Sequence, residues 1–238
     1  MESSLLVLLV ASFAASIVNA AFATGGIFLL LATLMALYPP TVAVPLLSAL
    51  AFGSLVARIA VYHHDIAWRI VRPFALGTAF GVLLAARIFV ALPETLIATV
   101  LALVLIATVW LPKTGRPPPV PRPFLVLGFA QGFLSTLTGI GGLLQAVMLK
   151  TGLDKMQVTA TLAAALLAQG VMKIAAYSLV GFDYLVWWPQ IAVTLAAGLA
   201  GTWAGRRLQH GIDEKIFRWT YRVLVSAYAV RLLYKAWG

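Results

Sequence analysis

Gln131-Gly132-Phe133-Leu134-Ser135-Thr136-Leu137-Thr138-Gly139-Ile140-Gly141-Gly142 interrupts an apolar run that extends from Phe124 to Leu149. A run of that length and composition would form a membrane helix, but three glycines in four residues cost it about 1 kcal/mol each relative to alanine. Ser135, Thr136 and Thr138 add hydroxyls that compete for local backbone groups. The stretch is therefore expected to unwind. In a bilayer, unwound backbone persists only inside protein or beside a watery cavity, and broken helices of this kind hold the substrates of transporters. The stretch reads as half of a binding site.

The rest of the chain supports a membrane setting. Of its 238 residues, 62% are hydrophobic and only 10% charged, and the mean hydropathy is +0.99. Several segments reach the roughly 20 residues that cross the hydrocarbon core. Apolar segments are expected near 5–23, 26–37, 41–62, 70–91, 95–111, 124–138, 142–150, 156–180, 184–205 and 214–236. The fold class is an all-α integral membrane protein. Met1-Glu2-Ser3-Ser4 lacks the positive start of a signal peptide, so the first segment is expected to be retained. The absence of cysteine excludes disulfides and thiolate chemistry. Three scattered histidines give no persuasive metal site, and no cofactor is implied. A net charge of +10 would suggest nucleic acid in a soluble protein. Here the basic residues cluster at segment ends, where they orient membrane helices.

Residues 112–123, half of them proline, form an extended basic linker between a first membrane repeat, 1–111, and a second, 124–238. The two parts align. Thr24-Gly25-Gly26 matches Ile140-Gly141-Gly142, Arg58 and Tyr62 match Lys173 and Tyr177, and Gly81 and Arg87 match Gly201 and Arg207. The offset drifts only from 115 to 120. The segment after each Gly-Gly pair, 26–37 or 142–150, is too short to span at 1.5 Å per residue. If each returns as a hairpin, twelve basic residues (Arg69, Arg72, Lys113 and Lys150 among them) share one side of the membrane, against Arg87, Lys173, Arg231 and Lys235. Single kinked crossings give nine against seven. The positive-inside rule favours hairpins. Each repeat is then a Gly-broken hairpin plus three transmembrane helices, and the two are inverted. The linker is expected in the cytoplasm and both termini outside it.

Inverted repeats bring their broken elements together near the midplane. Helix N-termini at the two Gly-Gly pairs would offer free N–H donors and partial positive charge to an anion. All seven acidic residues (Glu2, Asp65, Glu94, Asp154, Asp183, Asp213 and Glu214) lie at segment ends or in loops. Candidate substrate contacts are Asn19, Thr24, Gly25, Gly26, Ser135, Thr136, Thr138, Gly139, Gly141 and Gly142. Close helix packing is the competing explanation for the glycines. Gln131, Gln145 and Gln169 read as interhelical hydrogen-bonding groups more than as ligand contacts. Arg58, Lys173 and Arg87 either draw anions toward the site or snorkel to the interface. His63-His64-Asp65 reads as a solvated loop, with proton relay as the alternative. There is no H-E-x-x-H, G-x-S-x-G or P-loop sequence and no acid pair within a span. An enzyme therefore has no candidate dyad, and the coupling ion stays open.

Gly132-Phe133-Leu134-Ser135, Gly139-Ile140-Gly141-Gly142, Gly152-Leu153 and Ala160-Thr161-Leu162 resemble the signature of the sulfite exporter TauE/SafE family, the toluene-sulfonate uptake permeases. Asn19 to Gly26 with Tyr38-Pro39-Pro40-Thr41 resembles its first repeat. Leu143 and Met148 stand where that family often carries glycine and proline. The resemblance covers nearly the whole chain. It implies an inner-membrane permease moving small sulfur-containing anions such as sulfite, sulfonates, sulfoacetate or thiosulfate. Alternating access around the two breaks is the expected mechanism. The alternatives are a passive anion channel or, less in keeping with the residues, a membrane-embedded subunit or enzyme. The expected partners are a small anion and the lipid bilayer, with homo-oligomerisation left open.

Overall fold

The computed structural model describes residues 2–22, 26–110, 121–139, 141–148, 151–208 and isolated positions from Val223 to Trp237. Among these, all regular structure is helical. The helices are α1 (Glu2–Phe22), α2 (Gly26–Leu37), α3 (Pro40–Leu50), α4 (Phe52–Tyr62), α5 (Trp68–Ala91), α6 (Glu94–Trp110), α7 (Pro123–Thr138), α8 (Leu143–Met148), α9 (Lys155–Leu179) and α10 (Trp188–Leu208). Three stretches, Trp68–Ala91, Met156–Leu179 and Leu185–Gly205, are long and apolar enough to cross a membrane. The chain is a helical membrane protein.

The starts and stops have local causes. Pro39 is extended and Pro40 opens α3, where a missing N–H costs nothing. Asp154 caps α9 by accepting the Gln157 N–H at 2.8 Å. The expected segment 41–62 is two helices, α3 and α4, which meet at Ala51. Most of the linker, residues 112–120, lies outside the described residues, as does most of the expected segment 214–236.

The helices form two compact units. The first comprises Met1–Ser54, Leu92–Leu111 and Asp183–Gly238; the second comprises Leu55–Ala91 and Pro112–Phe182. Each draws on sequence from both sides of the linker. In the second unit α5 packs along α7 and against α9. Ile70, Val71 and Phe74 from α5, Leu127 from α7, Leu144, Val147 and Met148 from α8, and Ala164 and Ala165 from α9 form one buried cluster. In the first unit α1 packs along α10, and α3 touches α2, α6 and α10. Thr41 Oγ1 donates to Glu94 Oε1 at 2.9 Å.

Lipid tails are as apolar as leucine, so close backbone approach must replace hydrophobic driving force between membrane helices. The α5–α7 pair does this with two Gly-x-x-x-Gly steps, Gly77/Gly81 and Gly128/Gly132. A Cβ at Gly77 would lie 1.9 Å from the Leu125 carbonyl oxygen, and one at Gly81 2.3 Å from that of Phe129. A Cβ at Gly128 would lie 2.1 Å from the Phe74 oxygen.

The α1–α10 pair repeats this contact at aligned positions. A Cβ at Gly201 would lie 2.5 Å from the Phe13 oxygen. At the offset of the Gly-Gly pairs Phe13 corresponds to Phe129, and Gly201 aligns with Gly81. A Cβ at Gly198 would meet Ser16 Oγ at 3.4 Å, where α5 and α7 set Thr78 against Gly132.

Gly77→Ala is therefore expected to destabilise the purified protein by about 1–3 kcal/mol, the usual cost of overpacking. Gly152→Ala, where a Cβ meets nothing within 4 Å, should leave thermal unfolding in detergent unchanged. Equal melting curves for the two variants would show that the α5–α7 contact is not a fixed backbone approach.

Candidate functional site

The second break is narrower than its sequence suggests. α7 stays helical through Thr138, and the chain leaves it at Gly139, whose φ is 75° and whose N–H donates to the Ser135 carbonyl. Glycine adopts this left-handed conformation without the Cβ penalty. The helix resumes as α8 at Leu143, so the break is residues 139–142. Ser135, Thr136 and Thr138 do not unwind the helix. Thr136 and Thr138 donate to the Gly132 and Leu134 carbonyls, each at 2.7 Å and four residues back, a bond that leaves the helix intact.

A helix that stops inside a membrane leaves carbonyls without partners and a partial negative charge at its end. Here α9 supplies donors: the Thr136 carbonyl gains its partner, and the Ser135 carbonyl, already bonded to the Gly139 N–H, gains a second. Gln169, Lys173 and Tyr177 follow at i, i+4 and i+8 and so share one face. Lys173 Nζ donates to the Ser135 carbonyl at 2.8 Å. Tyr177 donates its hydroxyl to the Thr136 carbonyl. Gln169 Nε2 donates to Ser135 Oγ at 2.6 Å, and Gln169 Oε1 accepts from Gln131 Nε2 at 3.0 Å. Gln131 then reaches across the break, accepting the Leu144 N–H on Oε1 at 2.6 Å. Both sides of the break are thus tied to α9 by side chains that are almost wholly buried.

Lys173 is 4% exposed, so its ammonium is not snorkelling to water. It lies within a stretch long and apolar enough to cross a membrane, and none of the three such stretches among the described residues contains an acidic residue. Lys173 Nζ lies against the C-terminal end of α7, the negative end of that helix dipole. One ammonium N–H is used on Ser135, and an ammonium has three. The arrangement places a lysine amine with donors to spare beside a glycine break, and an arriving oxyanion would favour its protonated form.

The remaining candidates fall as follows. Gly139 is buried, and Gly141 and Gly142 are half-buried. A Cβ at Gly141 would meet Gln131 Cγ at 3.1 Å, whereas one at Gly142 would meet nothing within 4 Å. Of the amides expected to be free, Leu144 N–H is already held by Gln131. Gly26 is buried at the start of α2. Thr24 and Gly25 lie outside the described residues, as do the side chains of Asn19 and Arg58. Arg87 is exposed on α5. His63 and His64 are both exposed, with rings 3.8 Å apart. Tyr177 is the site residue that sequence reasoning passed over. Its spacing from Gln169 and Lys173 was the available clue.

Truncating Gln131 or Gln169 to alanine should each cost about 1–3 kcal/mol, because a buried partner loses its hydrogen bond. The double variant should be less destabilised than the sum by about 1 kcal/mol, the mark of residues in one network. Additive losses in a chemical-unfolding cycle would mean that the two amides do not act together.

No curated protein and no solved structure matches the chain. The family model described as sulfite exporter TauE/SafE matches residues 8–232. With membrane-length helices and a break held around a buried lysine, the chain belongs to the sulfite exporter TauE/SafE family of membrane transporters.

Proposed function

We propose that this protein is a permease for small sulfur-containing anions (sulfite, sulfonates, sulfoacetate or thiosulfate), working by alternating access around its two Gly-rich breaks. The observation that carries the reading is Lys173, a buried lysine in an apolar span, bonded to a helix C-terminus and, among the described residues, to no carboxylate. An uncompensated charge at mid-bilayer costs about 2.5–3.5 kcal/mol on insertion scales, and a purely structural link could use a neutral donor. An arriving oxyanion would take the Nζ donors that Ser135 leaves free, together with backbone N–H groups near Gly141 and Gly142, since the Gly139 N–H already serves the Ser135 carbonyl. The anion's charge is then matched by one lysine and partial helix charges alone, so binding stays weak enough for release.

In this reading the repeats are 1–111 and 124–238, with the basic linker in the cytoplasm and both termini on the other side of an inner membrane. The recurrence of the α5–α7 glycine contact at aligned positions of α1 and α10 supports a duplicated architecture. Ser135, Thr136 and Thr138 act mainly by shaping α7, since their hydroxyl hydrogens already serve nearby carbonyls. Asn19, Thr24, Gly25 and Gly26 would play the corresponding part at the first break, with Arg58 its counterpart of Lys173.

The test is transport by reconstituted protein. Proteoliposomes should accumulate radiolabelled sulfite, thiosulfate or a small sulfonate, without the unitary conductance of a channel. Lys173→Met should lower the rate at least tenfold while eluting as a single species in detergent. Gly141→Leu, which displaces Gln131, should also be inactive, and Gly142→Ala should transport normally. Wild-type rates in Lys173→Met, or no uptake of any of these anions by well-folded wild type, would end the proposal.

A further inference from the structure

The second unit contains an open cavity of about 290 Å³. Arg69 and Ile70 of α5, Phe124 of α7, and Thr151, Gly152 and Leu153 of the turn before α9 line it. Lys173 follows Lys155, the first residue of α9, by eighteen residues, about 27 Å along the helix at 1.5 Å per residue. The cavity is therefore separate from the site at the glycine break.

Helix direction fixes the depth of the cavity. The Ala67 N–H, just before α5, donates to Thr161 Oγ1 near the start of α9 at 2.9 Å. The Phe89 and Tyr177 rings meet edge to face near the ends of the same two helices, so α5 and α9 are parallel. α7 runs the same way, since Gly128 meets Phe74 and Gly132 meets Thr78. The membrane-length stretches of α5 and α9 begin at Trp68 and Met156. A cavity at the level where both begin lies at the membrane surface, among lipid headgroups. Trp68 stands next to Arg69 and is 52% exposed, as tryptophan often is at that level.

The lining has two chemistries. Ile70 belongs to the buried cluster of the unit, and Phe124 and Leu153 pack against it, so the floor is apolar. The rim is basic. Arg69 is exposed, Arg72 follows one turn on, and Arg122 precedes Phe124 by two residues, both again exposed. No acidic residue lines the cavity. Asp154 is adjacent in sequence, but its Oδ1 accepts the Gln157 N–H, and Asp65 belongs to the turn before α5. The Thr151 hydroxyl donates to the Met148 carbonyl at 2.7 Å. A Cβ at Gly152 would meet nothing within 4 Å, so the backbone there borders open space.

We propose that this cavity seats the headgroup of one anionic phospholipid, with its phosphodiester against Arg69 and its glyceride end over Ile70, Phe124 and Leu153. A guanidinium matches phosphate through paired N–H bonds, and basic pockets between membrane helices take anionic headgroups. A free anion gains nothing from an apolar floor, whereas a lipid brings its own apolar part to it. Bound there, the lipid would tie the starts of α5 and α7 to the turn before α9. Lipid binding at this place is independent of what the protein transports.

The test is thermal unfolding of the purified full chain in two kinds of nanodisc at one ionic strength. One is phosphatidylcholine alone, and the other includes about a quarter phosphatidylglycerol. Wild type should melt about 5 °C or more higher with the anionic lipid, the size that a hundredfold excess over Kd gives a chain of this length. Arg69→Gln removes the phosphate partner. Gly152→Phe fills the cavity and keeps every charge, so it separates a seat for one lipid from diffuse attraction between a chain of net charge +10 and an anionic surface. Both variants should melt like wild type in phosphatidylcholine and lose at least half of the rise. A wild-type Tm that ignores phosphatidylglycerol, or a full rise in either variant, would overturn the assignment. Glycerol 1-phosphate added to phosphatidylcholine nanodiscs supplies the headgroup without its chains. No rise with it supports a lipid seat, and a rise equal to that of the lipid would make the cavity a site for free phosphate esters instead.

Discussion

A helix can end in the hydrocarbon of a membrane only if something answers its last carbonyls, and in this protein α9 provides the answer. Lys173 and Tyr177 take the Ser135 and Thr136 carbonyls, Gln169 holds the Ser135 hydroxyl, and Gln131 carries the chain of bonds across to α8. Without those donors the break at 139–142 would leave unsatisfied polar groups in an apolar medium, each costing several kcal/mol. The break is therefore a joint property of α7, α8 and α9. Its surroundings are equally constrained, because Leu144, Val147 and Met148 of α8 are buried among α5, α7 and α9.

The glycines divide into two kinds by what surrounds them. Gly77, Gly81, Gly128 and Gly132 have no room for a side chain, since another backbone stands where it would go. Their role is mutual approach. Gly139 is present because of its positive φ, and Gly142 has space around it. Packing and function, which compete as explanations of a glycine-rich membrane sequence, thus each claim different residues here.

Much of this was legible beforehand. Apolar run lengths located most helices, because a bilayer leaves the backbone few alternatives. The cluster Gly139-Ile140-Gly141-Gly142 located the break, because glycine weakens a helix wherever it stands. The extent of the break was misjudged for a physical reason. The hydroxyls of Thr136 and Thr138 bond within the helix when no better partner is near, so they mark its last turn and leave it wound. Lys173 was readable as a charge out of place, but its acceptor, a main-chain carbonyl on another helix, leaves no trace in sequence. The junction at Ala51 was harder to read, because the single Gly53 two residues on forms no cluster. The pairings of α1 with α10 and of α5 with α7 are tertiary facts, visible in hindsight as small residues four apart.

The Lys173 bond also bears on how the chain enters the membrane. α9 taken alone is an apolar helix with a naked ammonium in its middle, and α7 taken alone ends in bare carbonyls. Neither is comfortable in lipid as a solitary segment, and each supplies what the other lacks. Since α7 is synthesised first, its end lacks the partners that α9 brings until the later helix is in place beside it.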